Sequence, residues 1–401
     1  MTRRSAINMA RYRLGFRPSD DANNARNDYA DAHDHYVDDA SDDTTDGRHV
    51  AGGAGVDVVD DDSSGWRKLL MSGGAVLGVA AAYNALARRG VDRLPNLIGG
   101  EEGGWSWRGR RISFTTRGSG PAVLLIHGIH AGAQSYEWRQ NVDHIARDHT
   151  VYTMDLLGFG RSDRPAIRYS ARLYISLISD FVAQVVGGPC VLVANSLSAA
   201  YAIILGARDP HRFPALALIE PSGLTRLNGA AGVAADAGRL AIDTPVVGTA
   251  AFNAMVSRRS IRHFLEVAYA DNTLVTDELV DVAYDTAHQR GARHAPAAFL
   301  AGHLNIDVRR ALRRLNQPAL LLWGEDAQIA PVQEIRGFRT LKPDFDVHIL
   351  SPSGDLPQDE RPDEFNVILS TWLNRRLHSS VPTLDMRPGT REDSQPMPPV
   401  S

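Results

Sequence analysis

Beyond residue 104 the apolar positions fall into short unbroken runs: PAVLLIHG, HTVYTMDLLG, CVLVANS, ALALIEP, PALLLWGE and DVHILS. Each has the length of a strand and is apolar at consecutive positions, the mark of a strand buried on both faces. Between most of them lie segments with apolar residues every three or four positions, such as YSARLYISLISDFVAQVV, which read as amphipathic helices. Alternation of the two predicts an α/β architecture, a mostly parallel sheet with helices on both faces. Ahead of the first run, GWSWRGRRISFTTRGSG predicts two short strands with a tight turn around Arg110. The interval 224–316 is too long for a crossover, and its Ala, Arg and Leu content predicts a helical insertion. PDEFNVILSTWLNRRL is the last helix expected.

The N-terminal pattern is different. From Asp20 to Asp62 fourteen aspartates face only Arg26 and Arg48, with few large apolar residues, so the segment lacks the surface to offset its ordering entropy. The first seventeen residues carry five arginines, and His33, His35 and His49 sit among the aspartates as in a solvated linker. Residues 69–87 then run without a charge between Arg67-Lys68 and Arg88-Arg89. As a helix this stretch spans about 28 Å, close to a bilayer core, though Ala, Gly and Asn84 dilute it. Two readings stand. One is a membrane anchor, with Arg88, Arg89 and Arg93 favouring a cytoplasmic domain after it; the other is a helix packed on the domain of a cytoplasmic protein. The expected organisation is an acidic disordered tail (1–65), an apolar helix (66–90), a core in two parts (100–223 and 317–378) split by a helical cap (224–316), and a disordered tail (379–401).

A chain of 401 residues, 43% hydrophobic, supplies one large core or two small ones, and a net charge of -4 gives no footprint for nucleic acid. The single cysteine, Cys190, excludes an intramolecular disulfide and a cysteine metal cage. No HExxH or close ligand cluster occurs in the folded part, and the glycines of GGAVLGVAA do not follow a strand. No metal or cofactor is expected.

The chemistry-bearing residues lie at the ends of the apolar runs. VLVANSLSAAYAI reads as strand, sharp turn and helix with Ser196 at the apex, and Ala194 and Ser198 are small enough for strand and helix to approach closely. HG-x-H at 127–130, D-x-x-G-F-G-x-S-D-x-P at 155–165, N-S-L-S at 195–198, W-G-E at 323–325 and G-x-L-P-x-x-E-x-P-x-x-F-N at 354–366 follow in one order. In that order they resemble the α/β-hydrolase superfamily, specifically its capped branch of esterases, epoxide hydrolases, haloalkane dehalogenases and pheophytinase-like proteins. The resemblance covers about residues 100–378. It implies Ser196 as nucleophile, the N–H groups of Ile129 and Leu197 as oxyanion hole, and His127, Gly128 and His130 beside the substrate. A serine at the elbow implies acyl transfer rather than halide or epoxide chemistry, and it needs a base within reach.

Two departures stand against that pattern. Asp355 takes the place of the family's histidine, and a carboxylate with an ordinary pKa near 4 is a poor base for a hydroxyl. Ala327 takes the place of the acid, leaving Asp326 one residue early and Glu220, at the end of the preceding strand, as acid candidates. Other histidines (His288, His294 and His303 in the cap, His348 in the last strand) are more often structural; His130 and His288 are the first to consider as bases. Two functions remain open: a serine hydrolase of an ester or other acyl compound, lipophilic if 69–87 binds membrane, or a non-catalytic protein that keeps the capped pocket as a small-molecule binding module.

Overall fold

In a computed structural model, which describes residues 63–91, 93–229 and 232–378, the apolar runs form one sheet. Its strands are β1 (Glu101–Trp107), β2 (Arg110–Arg117), β3 (Ala122–Ile126), β4 (Thr150–Met154), β5 (Cys190–Asn195), β6 (Leu216–Ile219), β7 (Ala319–Gly324) and β8 (Asp346–Leu350). The spatial order is β1-β2-β4-β3-β5-β6-β7-β8, antiparallel at β1/β2 and β2/β4 and parallel throughout the rest. The hairpin turns at Arg108 and Gly109, with φ 49° and 71°, two residues before the expected centre; a two-residue loop needs positive φ there.

Consecutive apolar residues in a run serve opposite faces. Val123 and Leu125 of β3 join Val191, Val193, Leu320 and Leu322 in one core, closed by Phe365 and Trp372. Leu124 and Ile126 join Leu192, Ala194, Leu218 and Leu321 in the other, under Tyr174, Tyr201 and Phe338. Around the sheet lie α2 (Val142–Ile145), α3 (Ala171–Phe181), α4 (Ser196–Arg208), α10 (Arg309–Leu312), α11 (Ile335–Leu341), α12 (Pro357–Glu360) and α13 (Pro362–His378), while α1 (Ser63–Ala87) lies against the helices inserted between β6 and β7. Helix α3 starts where the Ser170 hydroxyl caps Leu173 N–H and runs on into one π turn, Val182–Val186.

Between β6 and β7 the chain adds α5 (Val233–Asp243), α6 (Val247–Met255), α7 (Arg258–Ala268), α8 (Asp277–Ala287) and α9 (His294–Leu300). This insertion has its own core of Phe252, Val256, Ile261, Leu265, Tyr269 and Val280, which also touches Ala131 and Leu356 of the sheet-end loops. Its last stretch, Leu304 to Leu315, packs into the main core instead.

The helix expected at 66–90 is α1, and the span expected within it is corrected: no helix among the described residues is long and apolar enough to cross a membrane. Asn84 ties this helix to the cap, donating to Val246 O at 2.8 Å and accepting from Asn253 Nδ2 at 2.9 Å. Residues 63–65, read as tail, begin α1; the rest of the acidic segment and the tail at 379–401 lie outside the described residues.

Candidate active site

The parallel strands deliver their loops to one edge of the sheet, where ligands bind in folds of this kind. At the end of β5, Asn195 is extended and Ser196 turns sharply into α4 with φ 55°, a left-handed value that costs a non-glycine residue about 1–3 kcal/mol. The small flanks permit it. Ala194 is fully buried, and Ser198 donates its hydroxyl to His127 O at 2.7 Å, so the side chain found where family members carry glycine is satisfied. Ser196 is half-buried, and its main-chain oxygen accepts from Ser222 N–H at 3.2 Å. Leu197 sits in the first turn of α4, where N–H groups lack intrahelical partners, and Ile129 lies in the loop after β3; both are buried.

Asp355, in the loop after β8, gives its carboxylate to the loop after β7. Its Oδ2 accepts N–H groups of Gln328 and Ile329, each at 3.0 Å, and its Oδ1 accepts that of Ala330 at 2.7 Å. Its own N–H donates to Ala268 O of the cap at 2.7 Å. Ala327 is buried with no polar group to offer, and the loop behind it leaves three N–H groups that the Asp355 carboxylate covers. Asp326 is exposed, so of the two acid candidates it is the one turned to solvent. Glu220 ends β6 with φ 45°, is buried, and accepts Gly324 N–H at 2.9 Å. Burial and the Asp355 charge beside it push Glu220 well above the ordinary carboxylate range.

The histidines divide by what they bond. His127 is fully buried, donating Nδ1–H to Gly128 O at 2.6 Å and accepting Leu156 N–H on Nε2 at 3.1 Å; both nitrogens hold loops together. His288 bonds Tyr284 O at 2.8 Å and stacks on that ring, His294 lies 2.8 Å from Asp243, His303 lies 2.6 Å from Asp236, and His348 is exposed on β8. His130 is half-buried, and burial, with His127 close by, pushes it down to about 4, so its ring is neutral. Among the described residues no imidazole is hydrogen-bonded to Ser196, and no group of three or more His, Cys, Asp or Glu is placed to hold a metal.

One group that the sequence does not flag is bonded to the loop after β3. Glu137 accepts Gly128 N–H at 2.9 Å, Asn195 Nδ2 at 2.8 Å and Gln358 Nε2 at 3.1 Å, joining the loop after β3, the residue before Ser196 and α12. Burial pushes it up to about 7, against the pull of those donors. Its partners lie 9, 58 and 221 positions away, so no local motif announces it.

A family model described as "Alpha/beta hydrolase family" matches residues 123–367. The chain is 26% identical over 275 residues to the 2-hydroxy-6-oxo-6-(2'-aminophenyl)hexa-2,4-dienoic acid hydrolase of Metapseudomonas resinovorans, covering 67% of this chain and 89% of that one. It is 24% identical over 273 residues to a 2-hydroxymuconate semialdehyde hydrolase of Pseudomonas sp. strain CF600, covering 66% and 91%. Among solved structures, a serine hydrolase involved in carbazole degradation superposes with a TM-score of 0.58 at 25% identity, over 69% of this chain and 99% of that one.

Proposed function

The chain belongs to the alpha/beta hydrolase family, and from that premise we propose that it is a member whose capped pocket binds a small molecule while the relay at Ser196 stands idle. The observation that carries this reading is the bonding of Asp355. A base for Ser196 must reach its hydroxyl proton, and both oxygens of Asp355 are committed to the loop at Gln328–Ala330. Glu220, still placed where an orienting acid could stand, has Asp355 beside it in place of an imidazole, and burial with that charge pushes it well above the ordinary carboxylate range. The relatives' printed names identify them as hydrolases, and two of the compounds named are a dienoic acid and a semialdehyde; a carbonyl-bearing molecule is the corresponding ligand class here.

A second reading has its own support. Strain of the kind held at Ser196 persists only where the surroundings enforce it. It favours a serine hydrolase of an ester or other acyl compound, with the N–H groups of Ile129 and Leu197 receiving the oxyanion. Residual turnover does not separate the two readings, because an oxyanion hole and binding alone leave about 10³–10⁴-fold catalysis. Covalent labelling does. With a fluorophosphonate probe the wild type is expected to label no faster than Ser196→Ala, and Asp355→His, which sets an imidazole beside Glu220, is expected to gain Ser196-dependent labelling. Rapid labelling of the wild type, lost in Ser196→Ala, establishes the hydrolase instead.

The exposed apolar surface of α1 supports a further partner, a lipid surface that the protein touches without crossing.

A further inference from the structure

The cap and the loop after β3 enclose two chambers that meet at His130, and Ser196 lines neither. The larger, about 230 Å³, is walled by residues such as Phe252, Val256, Ile261, Leu265 and Phe299, with no Asp, Glu, Lys or Arg in its lining. Its rim is apolar and open, with Met255, Phe264 and Leu300 exposed by 44%, 42% and 58%. The smaller, about 60 Å³, shares His130, Gly132, Leu265 and Ala283 with the first and ends at Glu137, Arg139, Tyr269 and Asp359. Three of those four satisfy one another: the Arg139 guanidinium donates to Asp359 Oδ2 at 2.7 Å, and the Tyr269 hydroxyl donates to the same oxygen. Glu137 carries its three donors. His130 is different: among the described residues its ring nitrogens have no hydrogen-bond partner, so a neutral imidazole offers one donor and one acceptor at the junction.

We propose that the two chambers are one binding site for a neutral, largely apolar molecule, its body in the cap chamber and a single hydroxyl or carbonyl at its head hydrogen-bonded to His130 rather than set against Ser196. This rests on the reading of the capped pocket as a binding site and names its ligand class. Pockets of this type take an apolar body and fix it with a few placed polar groups. An apolar cavity of about 150 Å³ holds benzene, so the cap chamber takes a larger body, on the scale of two fused rings. A charged head is disfavoured because the one cation at the far end, Arg139, is already paired, and the large chamber has no charge to replace lost hydration. The head is a hydrogen-bonding group because His130 is otherwise left unpaired once the ligand excludes water.

Equilibrium dialysis of the full chain near pH 7.5 against 2-naphthol, naphthalene and 2-naphthoate tests this. 2-Naphthol is expected to bind about fivefold more tightly than naphthalene, the worth of one net hydrogen bond, and 2-naphthoate at least about tenfold more weakly than 2-naphthol. His130→Phe should bring 2-naphthol down to the affinity of naphthalene while leaving naphthalene unchanged. Leu300→Trp, at the exposed rim, should weaken both neutral probes equally, and it keeps the site testable if His130→Phe does not fold. Tightest binding of 2-naphthoate, or no binding of any probe, overturns the ligand class. A hydroxyl advantage that survives His130→Phe and disappears in Ser196→Ala overturns the placement of the head. Fluorophosphonate labelling of the same preparations reports on Ser196 alone, so failure of this assignment and failure of the idle-serine reading are separate results.

Discussion

Glu137 lies among charges that do not neutralise it. The Asp359 charge adds to its rise, the Arg139 charge is committed to Asp359, and His130 is neutral. The folded chain holds the Glu137 proton up to about pH 7, whereas the unfolded chain releases it near 4.5. Folding therefore takes up a proton between those values, and the contribution to stability is full below 4.5 and lost as pH rises through 7. Chemical denaturation of wild type and Glu137→Gln across pH 4.5–8 should show the wild type losing ground steadily, by at most about 1.4 kcal/mol per pH unit. A difference between the two proteins that does not change with pH would mean that Glu137 does not titrate in this window. At this scale the sequence was legible where chemistry is local. Ser196 announces itself through small flanking residues, and Asp355 through the glycine before it and the E-x-P after it. What the sequence left hidden is direction. That the Asp355 carboxylate turns to Gln328–Ala330, and that Glu137 gathers donors from three distant segments, depends on where the folded chain brings unpaired N–H groups.

Among the elements, the cap and the loop after β8 are held as one piece. Glu360 of α12 accepts Gly354 N–H at 2.6 Å on one oxygen and Ala270 and Asp271 N–H at 2.8 and 3.2 Å on the other, while Asp355 N–H reaches Ala268 O. The end of α7 thus rests directly on the segment that carries Asp355. Gly354 makes this contact possible: a Cβ there would stand 2.3 Å from Ala268 O. Gly354→Ala must push the cap away, and overpacking of this kind costs about 1–3 kcal/mol. Hydrogen exchange should register it as faster exchange at residues 268–271 with the amides of β5 and β6 unchanged; unaltered protection at 268–271 would show that the cap is held elsewhere. The strands were readable because runs buried on both faces leave no polar alternation, and the length of the interval from 224 to 316 was enough to indicate an insertion. The boundary of the cap was not readable. Leu304 to Leu315 carry three leucines and four arginines in twelve residues, and it is packing that assigns them to the main core.

For the whole molecule the unresolved surface is α1. Of its positions from 74 to 87, only Ala80, Asn84 and Ala87 are less than exposed, a single stripe at i, i+4 and i+7 that rests on the cap, with the Tyr284 hydroxyl closing on Ala87 O at 2.8 Å. The remaining faces present Val76, Leu77, Val79 and Leu86, exposed by 59%, 50%, 72% and 65%. A charge-free stretch open on this scale implies a covering partner, and its flanking charges choose between two. Arg67-Lys68 precede the apolar stretch and Arg88-Arg89 follow it, so pairing with a second copy sets basic ends against basic ends in either direction, whereas anionic lipid headgroups offer both ends a counter-charge. Asn84, a blemish if the helix were to span, suits one that lies flat, because it bonds the cap and leaves the apolar faces outward. The full chain should float with vesicles containing phosphatidylglycerol, less with phosphatidylcholine alone, and less again in 0.5 M salt (about a 4 Å Debye length). Val79→Glu combined with Leu86→Glu, both on exposed positions, should cut vesicle binding about tenfold or more without lowering thermal stability. Vesicle binding that is absent in the wild type, with a concentration-dependent dimer that the double substitution dissolves, would assign the same face to self-association.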